Sequence, residues 1–381
     1  VMPDRVLQAM HRPAPNIYRG ELVDMVAGIV PDLKAVARTD HHVAMYICNG
    51  HGAWEAAIVN TLSRGDRVLV CGTGRFGIGW GEMAKAMGID VQLIDFGPRA
   101  DIDLAQVAQA LAADAEHRIK AVMAVQVDTS TSVKNDIAGL RTALDAAGHP
   151  ALLFGDNIAC LGCDEFHMDD WGVDVMVTGS QKGLMTPPGM AFVYFNDRAD
   201  AARDKADLVT PYWDWRPRID PEYFYRYFCG TAPTHHLYGL RVALDMIVHE
   251  EGLADVWHRH QVLAKAIWAA LDGWNEGGLV RANIGDTAKR SNAVTLVNLG
   301  PGNGLRLREW MEHKYGVTLG IPLDGINGPD ETLDDFLRIG HMGHVNGQMV
   351  LGVLAGMQAG LAALQIPLGA GGLDSAMRVV A

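Results

Sequence analysis

The chain reads as an α/β protein: a mostly parallel seven-stranded sheet wound by helices, then a smaller C-terminal α/β part. Two observations predict this. Short apolar runs alternate with stretches of helical spacing through the first half, and after a long helical section the alternation resumes on a smaller scale. The apolar runs are Val43 to Cys48, Arg67 to Cys71, Val91 to Phe96, Lys120 to Gln126, Ala151 to Phe154, Val173 to Val177 and Met190 to Phe195. Helical spacing fills Trp54 to Leu62, Ile78 to Met87, Leu104 to Ala112 and Ile137 to Ala147. Strands joined through helices pair in parallel, and ligands then collect at their C-terminal ends. The long helical section runs roughly from His235 to Gly273, followed by a strand near Asn292 to Asn298 and a final amphipathic helix from about Gln348 to Leu364. The expected division is a large domain over 1–250 and a small one over 251–381.

Composition narrows the function class. With 381 residues, 49% of them hydrophobic and 20% charged, the chain buries a large core. A net charge of −13 with no stripe of Lys and Arg argues against a nucleic-acid partner. No run of about eighteen apolar residues is free of polar interruption, and Val1-Met2-Pro3-Asp4-Arg5 carries no signal-peptide pattern, so a cytoplasmic location is expected. Five cysteines make no disulfide framework. Cys160 and Cys163 have CxxC spacing, but no second pair completes a zinc site, and no metal is expected.

Lys182 carries the most chemistry. It follows the run Val173 to Val177 in Thr178-Gly179-Ser180-Gln181-Lys182-Gly183, and Asp156 closes the run Ala151 to Phe154. An amine and an acid at the ends of two parallel strands meet the demands of pyridoxal phosphate. That cofactor needs a lysine for its aldehyde and a carboxylate to keep its ring nitrogen protonated. Gly179, Ser180 and Gly183 permit tight turns, and Pro187-Pro188-Gly189 stops a long helix before the next strand. A plain surface loop has no need of that constriction.

The ordered run Gly155-Asp156, Asp164-Glu165-Phe166, Met168 through Asp174, Gly179-Ser180-Gln181-Lys182-Gly183-Leu184-Met185 and Pro187-Pro188-Gly189 resembles the class V aminotransferases of the serine–glyoxylate and alanine–glyoxylate type. The resemblance implies the fold type I plan of pyridoxal-phosphate enzymes, with large and small domains. In that plan a short segment is expected to precede Val1.

Further site residues follow by position. Asn49-Gly50-His51-Gly52 enters a helix after the first strand, so free N–H groups and the helix dipole converge on an anion site, and Gly50, His51 and Gly52 match the family's phosphate turn. The resemblance implies a phosphate contact from Gln181, a hydroxyl near the ring from Thr129, and Phe76 stacked on the pyridine. It implies a homodimer with shared active sites, each chain lending Thr231 to its partner's phosphate. The family's partner tyrosine is replaced by Phe228, which has no hydroxyl; Tyr225 and Tyr227 are the nearby substitutes. Arg338, in Leu337-Arg338-Ile339-Gly340-His341-Met342-Gly343, matches the family's arginine for the substrate carboxylate, and a guanidinium between apolar neighbours is an odd choice for a solvated face.

The implied reaction moves an amino group from a small amino acid to a 2-oxo acid such as glyoxylate or pyruvate by ping-pong kinetics, with Lys182 as proton carrier. A lyase on the same scaffold is the alternative. A desulfurase is disfavoured, because no cysteine follows Cys229 and Gln181 stands where a histidine is usual. Spacing alone offers a nicotinamide-dependent oxidoreductase: Gly72, Gly74 and Gly77 form GxGxxG after a strand, with Asp95 ending the next. Against it, the fingerprint does not open the domain and Lys182 has no part in such a site. Pro15-Asn16-Ile17-Tyr18-Arg19-Gly20 and Gln126-Val127-Asp128 stand where the family often has a His-Arg pair and a His-rich turn, so an altered pocket is expected. Trp213-Asp214-Trp215-Arg216 has no role that the sequence assigns.

Overall fold

The structure, a computed structural model, describes residues 1–381. In chain order it comprises α1 (Asp4–Met10), α2 (Glu21–Ala37), β1 (His42–Tyr46), α3 (Gly50–Thr61), β2 (Arg67–Gly72), α4 (Arg75–Ala86), β3 (Asp90–Asp95), α5 (Leu104–Ala113), β4 (Ile119–Val125), α6 (Ile137–Ala146), β5 (Leu152–Asp156), β6 (Val175–Gly179), β7 (Ala191–Phe195) and α7 (Asp197–Ala202). There follow α8 (Thr234–Leu244), α9 (Leu253–Asn275), β8 (Arg281–Ala282), β9 (Val294–Asn298), α10 (Asn303–Trp310), β10 (Phe336–Gly340), α11 (Gly347–Ala363) and α12 (Gly372–Val380).

Seven strands form one sheet in the order β1-β7-β6-β5-β4-β2-β3, and only β7 runs against its neighbours. Every residue of β5, β6 and β7 is buried, as the continuous apolar runs demand of strands covered on both faces. One core joins the sheet to α2, α5, α6 and α8, and a second joins its other face to α3 and α4. The strands extend past the apolar runs at their C-terminal ends: Asp156 still pairs with Val177, and Gly179 with Ala191. The polar ends of β5 and β6 thereby become the floor of the site.

The helical section from His235 to Gly273 is helical almost throughout, divided at one point: α8 ends at Leu244, a wider helical stretch runs from Asp245 to Glu251, and Gly252 takes φ 86° before α9 starts. A left-handed backbone there suits glycine and interrupts the helix. One expectation needs correction: the helix found over Gly347–Ala363 is not the final one, because α12 follows and packs on α9. The strand β9 lies in a three-stranded sheet ordered β10-β9-β8. No helix is long and apolar enough to cross a membrane.

Two buried histidines support the loop that follows β10. His260 of α9 sits with Nδ1 against the Val256 carbonyl, so Nδ1 donates and Nε2 accepts from Gly343 N–H at 3.1 Å. His341 donates from Nδ1 to the Asn292 carbonyl at 2.8 Å and meets Thr295 Oγ1 through Nε2 at 2.9 Å. Burial lowers both, His260 to about 4 and His341 to about 3. A lowered histidine binds a proton first in the unfolded chain, so its stabilisation is complete above about 6.5 and is lost as pH falls toward the folded value. Asp156, raised to about 7 by burial, works in the opposite sense over the same range, so the test is a difference. His260→Gln keeps an acceptor for Gly343 and removes the titration. Between pH 6.5 and about 4, wild-type apoprotein is expected to lose on the order of 3 kcal/mol relative to this variant in urea unfolding. Parallel pH profiles would contradict a neutral buried His260.

Candidate active site

Helix α3 begins beside the end of β1. Asn49 caps it, its Oδ1 accepting from His51 N–H at 3.1 Å and Gly52 N–H at 3.4 Å, and the first turn holds no acidic residue. Two glycines are dictated by close approach. A Cβ on Gly50 would lie 2.3 Å from Ile158 Cδ1, and one on Gly52 would lie 2.6 Å from Cys48 Cβ. The chain therefore crosses here as bare backbone, and the helix start, capped by a neutral side chain alone, favours an anion through its dipole.

Facing this turn is a cavity of about 240 Å³ that gathers Asn49, Gly50, His51, Trp54, Phe76, Thr129, Asp156, Gln181 and Lys182, walled by Val125, Val127, Ile158 and Ala159. Asp156 is 2% exposed. Its Oδ1 accepts from Ile158 N–H and its Oδ2 from Trp54 Nε1–H, each at 2.7 Å. Burial raises it to about 7 against the pull of these two donors. Lys182 is lowered, first by burial and then by the Arg338 charge, with Asp156 opposing. The Gln181 Oε1 is buried without a hydrogen-bond partner. An amine biased toward its neutral base, an acid lacking a cation and a helix start without an acidic residue suit the aldehyde, ring nitrogen and phosphate of pyridoxal phosphate. The residues present fit that group.

A wider groove of about 830 Å³ runs past Gln126, Lys134, Asp164, Glu165 and Trp257. Its buried acid, Asp164, is already satisfied by Ser291 Oγ and Asn292 N–H, with Lys134 at 3.7 Å, so the chemistry lies in the smaller cavity.

The GxGxxG reading fails on a contact. The N–H groups of Phe76 and Gly77, which a dinucleotide pyrophosphate would need, donate to Asp128 Oδ2 at 2.9 and 3.0 Å. Asp128 is fully buried and also accepts from Ser130 N–H and Oγ–H. Gly74 is a glycine because a Cβ there would lie 2.5 Å from Asp128 Cγ. The turn is closed around the chain's own carboxylate, which fixes Phe76 at the cavity wall.

Arg338 comes from β10. Its Nε donates to the Ile321 carbonyl at 2.7 Å and its Nη1 to the Thr129 carbonyl at 3.0 Å, so it has no carboxylate partner within the chain. Burial lowers it, and Asp128 acts in the other direction. Thr231 is exposed and does not join this cavity. Phe228 is 1% exposed in the main core, so the position taken for a partner's tyrosine is a packing residue here; Tyr225 is exposed, Tyr227 half-buried, and neither lines the cavity.

Trp213 to Arg216 receives a role. The Trp213 carbonyl accepts from Tyr46 Oη–H and Asn60 Nδ2–H, and the Trp213 ring abuts the Gly52 turn. Trp215 stacks on Phe195 at 4.0 Å, and Arg216 grips Asp200 and Asp204. The segment braces the start of α3 from beneath. Sequence reasoning missed Trp54, Asp128 and Trp213. The Asp-Thr-Ser sequence at 128–130 is a local capping signal that pointed to Asp128.

Removing Asp128 strands buried donors. Asp128→Ala is expected to cost on the order of 3 kcal/mol in denaturant unfolding, from the Phe76 and Gly77 amides left unpaired. A loss below about 1 kcal/mol would show those amides finding other partners.

The sequence model of the family described as aminotransferase class-V matches residues 37–319. A serine–glyoxylate aminotransferase of Methylorubrum extorquens is 35% identical, with 94% of this chain and 88% of that protein covered. An L-aspartate–glyoxylate aminotransferase of Paracoccus denitrificans is also 35% identical, covering 88% and 82%. Among solved structures, a ureidoglycine–glyoxylate aminotransferase of Bacillus subtilis superposes with a TM-score of 0.86 at 25% identity, covering 99% of this chain and 95% of the other.

Proposed function

This chain belongs to the class-V aminotransferases, and on that footing we propose that it transfers the amino group of a small amino acid to glyoxylate or pyruvate, with Lys182, Asp156 and Arg338 as its working residues. It is a pyridoxal-phosphate enzyme of fold type I. The observation that supports the assignment of residues is that one cavity brings together Lys182, whose pKa burial lowers, and Asp156, which makes no salt bridge.

Bound pyridoxal phosphate supplies an aldehyde that takes up the amino group and a pyridinium ring that accepts the electron pair from Cα. Lys182 Nζ would hold the cofactor's aldehyde and, as a free amine, would move the proton at the substrate's Cα. Burial, with the Arg338 charge, biases it toward its neutral, basic form. Asp156 would keep the ring nitrogen protonated. The Gly50-His51-Gly52 turn and Gln181 would hold the phosphate, with Phe76 and Thr129 at the ring; all of these but Gly52 line the cavity. Arg338 binds the α-carboxylate of donor and acceptor in turn, which orients Cα toward Lys182. The substrate-facing walls Val127, Ile158 and Ala159 are apolar, which suits a small donor side chain.

A homodimer is part of the same proposal. Ile47, Tyr212, Tyr223 and Tyr225 stand exposed on the segments that flank the phosphate turn and Thr231, and a second copy covering them would bring its Thr231 to the phosphate. We place the division of domains near Gly252, as 1–250 and 251–381, with Arg338 reaching across it, and the enzyme in the cytoplasm, where five free cysteines are at home.

Two experiments test the reading. The purified protein is expected to be yellow, and borohydride to fix the cofactor covalently to the peptide carrying Lys182; Lys182→Ala loses both colour and label. A label on another lysine would move the assignment. Arg338→Lys keeps the charge and loses the planar fork, so kcat/KM across a panel of amino donors with glyoxylate and pyruvate should fall on the order of ten- to several-hundred-fold, about 1.5–3 kcal/mol. Unchanged kinetics with every donor would remove Arg338 from the site.

A further inference from the structure

We propose that Trp54 is a positioning residue for this reaction, its indole N–H holding the Asp156 carboxylate in the orientation and charge state that the cofactor's ring nitrogen requires. The proposal rests on the assignment of Asp156 to that nitrogen. Trp54 and Asp156 are both 2% exposed and are joined by the 2.7 Å bond from Nε1 to Oδ2. Ile158 N–H takes Oδ1, and no cation pairs with either oxygen. A carboxylate offers about four lone-pair sites, so two remain for the ring nitrogen, and the two neutral donors decide where they point. A donor to the ionised acid also opposes the burial that raises Asp156.

The donor is itself fixed. The Trp54 ring stacks on Trp80 with centroids 5.9 Å apart at 14°, meets His51 at 4.6 Å and stands edge-on to Phe76 at 6.2 Å. Trp80 packs against Phe154 at 6.0 Å, two residues before Asp156 on β5. Helix α3 opens with the phosphate turn and places Trp54 four residues past Gly50, roughly 6 Å along the axis. One rigid element thus sets the phosphate end of the cofactor and, through Asp156, its ring nitrogen. Phenylalanine keeps an aromatic ring there but removes the N–H along with part of the indole's volume, so a cycle with Asp156→Asn is needed to separate the link from the packing.

The test is a double-mutant cycle on the holoenzyme. Trp54→Phe is expected to lower kcat about ten- to a hundredfold while the KM for the amino donor, set by Arg338, moves less than about threefold; the cofactor dissociation constant should rise about tenfold. In an Asp156→Asn background the same change should do nothing further to kcat or to cofactor affinity. Equal losses in both backgrounds would mean that Trp54 acts by packing on Trp80, and would overturn the proposal, as would a Trp54→Phe enzyme with unaltered kcat and cofactor affinity. If Asp156→Asn alone turns over normally, the assignment of Asp156 fails and takes the proposal with it. Should Trp54→Phe not fold, wild-type apoprotein carries the test. The Trp54 indole N–H resonance should shift as Asp156 titrates near the value of about 7 and lose that titration in Asp156→Asn. A resonance indifferent to pH would overturn the proposal.

Discussion

Asp156 is a carboxylate taken out of water and given two neutral donors but no cation. Burying a charge on those terms is costly, and the cost appears as a pKa raised to about 7. Lys182 and Arg338 are likewise pushed toward their neutral forms by burial. The three groups stand where a ligand carrying a cationic ring nitrogen, a reactive carbonyl and a carboxylate would reverse each shift. The protein alone leaves these charges poorly compensated, and the fold's other interactions must make up the difference.

Much of that work is done at the contact between the two sheets. Asn283, just after β8, donates to the Pro98 and Thr131 carbonyls, and Leu296 N–H on β9 donates to Ser132 Oγ. Lys289 pairs with Asp101, and Glu331 with Arg99 and Arg281. These links fasten the smaller sheet to the loops after β3 and β4, the same loops that present Thr129 and Asp128. Arg338, paired through β10 to β9, therefore arrives at the Thr129 carbonyl as part of a braced unit. A guanidinium on a free loop would pay its own ordering entropy with each substrate.

The chain announces some of this plainly and hides the rest. Lys182 and Asp156 were legible because strand-end polar residues after continuous apolar runs have few structural reasons to exist. The seven strands were legible because burial on both faces leaves unbroken apolar runs; β8, two residues long, leaves no pattern to read. Trp54 was not legible as a partner of Asp156: a tryptophan inside an apolar helix reads as core, and 102 positions separate it from the acid. Asp128 was hidden for a related reason. Its partners, Phe76 and Gly77, lie on another βα turn, and sequence spacing carries no information on which strand ends become neighbours. Phe228, which has no hydroxyl at the position where the family's tyrosine is expected, is a packing residue of the main core.

The two glycine-rich turns settle which helix start receives an external anion. Both α3 and α4 follow a strand through glycines and aim their first amides at the C-terminal edge of the sheet, so the dipole argument applies equally to each. They differ in what answers the dipole. At α4 the buried Asp128 carboxyl accepts from the Phe76 and Gly77 amides, so those donors are satisfied within the chain, although burial pushes the acid toward its neutral form. At α3 the cap is the neutral Asn49, bonded at 3.1 and 3.4 Å, and no acid stands in the first turn. The partial positive charge there is left for a ligand. GxGxxG spacing therefore identifies a shape, while the side chain that meets the helix start, a carboxyl at α4 and a neutral amide at α3, decides how its amides are used.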